Sequence, residues 1–180
     1  MPRPRQVRPL ERRQHRGHLH APGRMKQQIL DALRHQLEER LRVTQASAAD
    51  AVAAATHEEA RAEDKYDTRG LEQTYLAAGQ NARMAELRQL LTSLHFYVSP
   101  LLTDRVQPGS LVLAAHDGQE TLYLLLPFAV GERLQVAGQL VQVVGTAAPV
   151  AAALLGKQVG DVVTVLVAGQ KRELEVVEVQ

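Results

Sequence analysis

The stretch His57–Gly79, HEEARAEDKYDTRGLEQTYLAAG, sets the architecture of the chain. It crowds Glu58, Glu59, Glu63, Asp64 and Asp67 into one short segment and interleaves Arg61, Lys65 and Arg69 with them. A helical pattern runs into it. Leu30, Leu33, Leu37, Leu41, Thr44, Ala48, Val52 and Ala55 recur at steps of three and four, a stripe along one helix face. A second pattern runs out of it, with Leu71, Tyr75, Ala78, Ala82 and Ala85, then Leu87, Leu90, Leu91 and Leu94. Both stripes carry small residues near the acidic segment and large ones away from it. That mirror symmetry predicts an antiparallel coiled-coil hairpin with the acids at its bend. The first helix, from Lys26 to about Glu59, would be ~50 Å long at the α-helical rise. A domain of this size cannot bury such a rod, so the hairpin is expected to project and to carry its carboxylates with it.

Composition narrows the remainder. The chain has 180 residues, no Cys and no Trp, and aromatics make up 3%. Disulfides and Cys-based zinc sites are excluded, and the cores must be built from Leu, Val and Ala. No apolar run approaches the ~18 residues of a membrane helix, so a cytoplasmic protein without a membrane partner is expected. Residues 1–24 hold seven Arg and one acid, while the rest of the chain carries 14 basic and 19 acidic side chains. This Arg- and Pro-rich leader is expected to be disordered. It reads as a nucleic-acid arm, a transit peptide or an extension upstream of a true start at Met25; the clean onset of pattern at MKQQILDAL favours the last.

The texture changes between His95 and Val106. Short Val- and Leu-rich runs follow: SLVLAA, ETLYLLL, PFAVGE, RLQVAG and LVQVVG read as strands, with HDG as a turn. In TAAPVAAALLG, Pro149 suits the first turn of a short helix and Gly156 its end. GDVVTVLVAGQKRELEVVEV reads as a closing hairpin turning at AGQ. The fold class expected is α+β: the helical hairpin at 25–97 with its acidic tip at 57–70, then a mainly antiparallel sheet with one short helix at 98–180.

Two segments are similar to the GreA/GreB transcript-cleavage factors. The closing segment carries Pro149, Leu154, Leu155, Gly156, Lys157, Gly160 and Asp161 in the order of that family's motif, with Ala148 where the family usually has Ser. KYDTRGLEQTYLAAGQ stands where the family has its tip and second helix. The resemblance covers most of residues 25–180 and implies an FKBP-like C-terminal domain docked on RNA polymerase, the turn at Gly156, Lys157 and Asp161 contributing to docking. It also implies a coiled coil entering the secondary channel. There Glu63, Asp64 and Asp67 would lie beside the polymerase's catalytic Mg²⁺, supported by Lys65, Tyr66 and Arg69 and close to the nascent RNA. The factor would be a monomer, would hold no cofactor of its own and would act on polymerase hydrolysis rather than as an enzyme. It would share the Mg²⁺ of the polymerase active site, and DNA binding is expected with it.

The tip departs from the family pattern. Aligned from Glu86 and Leu87, the family's Asp falls near Glu63 and its Glu near Tyr66. Asp64 and Asp67 keep the spacing of three with a shift of one residue. Two outcomes stay open, cleavage stimulation and occupation of the channel without it. Two other classes also stay open: a structural coiled-coil oligomer and, because FKBP-like folds include them, a peptidyl-prolyl isomerase. Isomerase sites are lined with aromatics, whereas this half offers Phe96, Tyr97, Tyr123 and Phe128. His57, His95 and His116 lack metal-ligand spacing.

Overall fold

A computed structural model describes residues 22–59, 69–100, 104–128, 130–167 and 169–180. Its order is α1 (Pro22–Glu59), α2 (Arg69–His95), β1 (Leu111–His116), β2 (Gln119–Leu126), β3 (Gly131–Val136), β4 (Gln139–Gly145), α3 (Pro149–Leu154), β5 (Val162–Val167) and β6 (Gln170–Val179). The architecture is the helical hairpin plus mainly antiparallel sheet expected from the sequence. Helix α1 starts at Pro22, so the last three residues of the segment expected to be a disordered leader are helical. Proline is tolerated there because a helix's first N–H groups have no intrahelical acceptor.

α1 is continuous over 38 residues, about 57 Å at the α-helical rise. Arg34 and Glu38 of α1 share a crevice with Leu91, Thr92 and His95 of α2, while Arg40 shares one with Arg83, Glu86 and Leu87. Rising numbers on one helix meet falling numbers on the other, so the two run antiparallel. On α1 the expected stripe holds at Leu30, Leu33 and Leu37, all buried, and fades to half-buried at Leu41, Thr44 and Ala48. Val52 is already 62% exposed. On α2 the expectation fails in part. Tyr75, Ala78, Ala82 and Ala85 face solvent, whereas Met84, Leu87 and Leu94 are buried and Leu91 half-buried. The large residues expected at the base, Leu87, Leu90, Leu91 and Leu94, take the seam, and the part of the stripe nearer the acidic segment does not.

The sheet has six strands in the order β3-β4-β2-β1-β6-β5. Three antiparallel hairpins, β1–β2, β3–β4 and β5–β6, are joined by a parallel pairing of β2 with β4 and an antiparallel pairing of β1 with β6. The HDG turn adopts positive φ at Asp117 (48°) and Gly118 (79°), and Ala137–Gly138 repeats it with 50° and 79°. Those angles suit the tight turns whose twist matches the flanking strands. PFAVGE is not a strand of its own. Pro127 and Phe128 lie in a bend, and Gly131 and Glu132 join RLQV in the single strand β3. A proline cannot donate to a ladder, so the apolar run breaks where it stands.

Strand alternation sends side chains to two faces. One face carries Leu111, Leu122, Leu124, Leu126, Leu134, Val136, Val141 and Val143. Those residues form a single core with Met25, Ile29, Leu30, Leu33, Leu37, Leu87 and Leu94 of the helices. The base of the hairpin is therefore part of the sheet's own core, not a neighbour joined by a linker. The opposite face buries Val112, Ala114, Tyr123, Leu125, Leu174 and Val176 with Ala151 and Leu154 of α3. Pro149 sits in the first turn of α3 and Gly156 follows its end with φ 76°, as the sequence predicts.

A charged clamp sets the hairpin against the sheet. Glu132 of β3 accepts from Arg40 Nη1 at 2.5 Å and Nη2 at 2.9 Å, and from Gln36 Nε2 at 2.7 Å. The Glu132 side chain is 12% exposed. A bidentate pair that close, half sheltered from water, contributes more than an open surface pair. Glu132→Ala is expected to lower stability by about 1–2 kcal/mol in urea unfolding, with Glu132→Gln between it and the parent. A loss below about 0.3 kcal/mol would show the clamp to be ornamental.

Candidate functional site

The acids expected at the tip, Glu63, Asp64 and Asp67, lie outside the described residues, as do Lys65 and Tyr66. Arg69 is the first residue of α2. The structure does describe the rods that lead to them. Gln36 and Arg40 tie α1 to β3, and the helix continues 19 residues from Arg40 to Glu59. That is about 28 Å of helix past the clamp. Over this length α1 shows Val43 and Val52 to solvent and α2 shows Tyr75 and Leu76, so among the described residues no third layer covers the helices there.

The turn at Gly156, Lys157 and Asp161, which the resemblance assigns to docking, is held by backbone hydrogen bonds. Gly156 N donates to Val106 O at 2.8 Å, and Val106 N donates to Lys157 O at 2.8 Å. Arg105 Nη1 donates to Gly156 O at 3.1 Å. Asp161 Oδ2 accepts from Gln158 N at 2.9 Å, while Asp161 O accepts from Val176 N at 2.8 Å. The positive φ of Gly160, 92°, lets the chain turn back into β5. Gly156, Lys157 and Asp161 are thus brought together, and their backbones and the Asp161 carboxylate shape the turn.

A cavity of about 400 Å³ opens on the α3 side of the sheet. It is lined by Arg133, Gln142, Tyr123, Thr121, His116 and Arg172, with Ala114, Val165 and Leu174 among its apolar residues. Composition and spacing did not single it out, because its residues come from all six strands and from α3. Tyr123 is the one aromatic residue among its lining. The aromatic enclosure of a prolyl isomerase pocket is missing there. Burial pushes the Tyr123 phenol above the ordinary tyrosine value, against the pull of a hydrogen bond to Thr121 and of the Arg172 and Arg133 charges. Among the described residues no group of three His, Asp or Glu side chains is placed to hold a metal ion, and no helix is long and apolar enough to cross a membrane.

Comparison with known proteins bears on the sheet half. Residues 101–180 match the family model described as transcription elongation factor, GreA/GreB, C-terminal. Curated proteins give no match. Similar solved structures include GreA factor homolog 1 of Thermus thermophilus, with 23% identity over 82% of this chain and 94% of that one and a TM-score of 0.35. Gfh1 of Thermus aquaticus is similar at 21% identity over 81% and 92%, with a TM-score of 0.34. A GreA/GreB factor from Nitrosomonas europaea is similar at 24% identity over 63% and 93%, with a TM-score of 0.33. Superpositions at that level add no argument of their own. The family match coincides with the sheet, with α3 and with the Gly156–Asp161 turn. Residues 101–180 of this chain are GreA/GreB-like, matching the C-terminal domain of those transcription elongation factors.

Proposed function

We propose that the chain is a transcription elongation factor that binds RNA polymerase and reaches into its secondary channel with the helical hairpin. The observation that carries this is the continuation of α1 for about 28 Å past its clamp on the sheet, toward an acidic segment, from a body matched to the GreA/GreB C-terminal domain. A body that docks and a rod that reaches divide the work: the sheet half fixes position and the rod sets depth. Carboxylate oxygens are the ligands that Mg²⁺ prefers, usually one or two with several waters. Glu63, Asp64 and Asp67 would bring such oxygens toward the polymerase's own ion, and Mg²⁺ in such a centre polarises phosphoryl oxygens and activates water. The chain holds no catalytic set of its own in this reading, acts in the cytoplasm and modulates hydrolysis of backtracked RNA by the polymerase.

A backtracked elongation complex tests this. Purified chain is expected to speed RNA shortening, and Asp64→Ala combined with Asp67→Ala is expected to remove at least about tenfold of that acceleration while leaving polymerase binding intact. Binding to polymerase without shortening, together with blockage of an active cleavage factor, would establish the competitor instead. Tyr66, standing where the resemblance has an acid, is the feature that favours the competitor. Failure to bind polymerase at all would remove the proposal.

A further inference from the structure

The cavity on the α3 side of the sheet has a charge pattern that the elongation reading does not use. Its lining holds two arginines, one histidine and no carboxylate. Arg133 lies on β3 opposite Gln142, and Arg172 lies on β6 opposite Val165. The order β3-β4-β2-β1-β6 puts four strand spacings between them, about 19 Å. The two guanidinium groups therefore approach the cavity from opposite walls. Tyr123 stands between them on β2, and its phenol feels both charges. Neither arginine has an ion pair among the described residues, unlike Arg34, Arg40, Arg42 and Arg83. His116 Nδ1 is 2.8 Å from Glu173 O, which fixes its ring, and the neighbouring Asp117 is 89% exposed and 3.5 Å from His116 Nε2. Ala114, Val165, Leu174 and Val150 provide apolar lining between the charged walls.

We propose that this cavity binds an acidic peptide segment, with two carboxylates held by Arg133 and Arg172 and an apolar side chain between them on the Ala114, Val165 and Leu174 surface. Arginine's planar fork suits a carboxylate, and two forks on opposite walls suit two carboxylates on one chain better than one compact anion. A volume of about 400 Å³ accommodates the apolar residue between them. The binding needs no polymerase, so its test is independent of the elongation reading.

The probe is a short fluorescent peptide with two glutamates flanking two leucines, titrated into the full chain and followed by anisotropy. Saturable binding is expected, weakened at least about tenfold by Arg133→Ala combined with Arg172→Ala and by a similar factor when the peptide's glutamates become glutamines. Lys171→Ala, an exposed cation outside the cavity lining, is expected to change affinity less than about twofold. Arg133 and Arg172 are exposed, and amide spectra of the double variant are expected to match the parent, which separates lost binding from lost folding. Equal affinity of parent and double variant overturns the proposal, as does equal affinity for the glutamine peptide. Full displacement by inorganic phosphate with no loss in either single variant also overturns it, since that is the behaviour of diffuse anion attraction.

Discussion

Leu33→Ala is expected to destabilise the hairpin and the sheet together, by about 2–5 kcal/mol. Leu33 is fully buried and belongs to the core that also holds Leu37, Leu87, Leu124 and Val143. Truncation removes the transfer free energy of the lost carbons and leaves a cavity that neighbours from both layers fill only in part. For a domain whose total stability is ordinarily about 5–15 kcal/mol, that is a large fraction. The informative readout is where the loss appears. Amide hydrogen exchange is expected to quicken in parallel at Leu37 of α1 and at Leu124 of β2, and urea unfolding is expected to remain a single transition. Val43→Ala on the same helix, where the side chain is 54% exposed, is expected to stay within about 0.5 kcal/mol of the parent. Faster exchange in α1 with β2 unaffected would mean that the helices and the sheet are separate cooperative units, and the shared core would lose its meaning.

Gly109→Ala is expected to cost about 3 kcal/mol, from two causes that can be separated. Gly109 has φ 96°, a conformation that an L side chain adopts only with strain. A Cβ there would also collide with Pro100 Cδ and stand 2.5 Å from the Tyr97 hydroxyl oxygen. Gly109 N donates to Leu125 O at 2.6 Å and Ser110 N to Gln107 O at 2.9 Å, so the backbone is held on both sides of the position. Tyr97 is in turn wedged edge-on against Phe128, with ring centroids 6.0 Å apart. The segment leaving α2 thus lies directly on the turn that enters β1, and only a glycine leaves room for it. In a background carrying both Pro100→Ala and Tyr97→Phe the close contacts are relieved, so the same substitution is expected to cost about 1 kcal/mol, the part due to φ alone. Equal costs in both backgrounds would show that the close approach contributes nothing.

Much of this was legible in the order of residues. Steps of three and four in 30–48 and alternation in 111–116, 139–145 and 162–179 are local signatures, because side-chain periods of 3.6 and 2 follow from backbone geometry. Asp117–Gly118 and the flanks of α3 were legible for the same reason: a turn or a cap needs its special residue within a few positions. The seam of α2 was legible only at its base. Leu87, Leu90, Leu91 and Leu94 were expected there and are buried or half-buried, whereas Tyr75, Ala78, Ala82 and Ala85, which keep helical spacing too, are exposed. The clamp of Arg40 and Gln36 on Glu132 joins residues more than ninety positions apart, a distance over which spacing carries no information.

By itself the sequence determined that one part is helical and the other a sheet, and that the closing motif is of the GreA/GreB kind. Those features live in stretches short enough for periodicity, turn chemistry and motif order to specify. Tertiary structure alone decided that the base of the rod and one face of the sheet are a single core. It also decided that β2 and β4 pair in parallel and that Arg133 and Arg172 face one cavity from opposite walls. Each of these depends on which distant surfaces exclude water together. Burial of apolar area rewards any such pairing alike, so the outcome is fixed by the shape of the whole chain and not by a local run of residues.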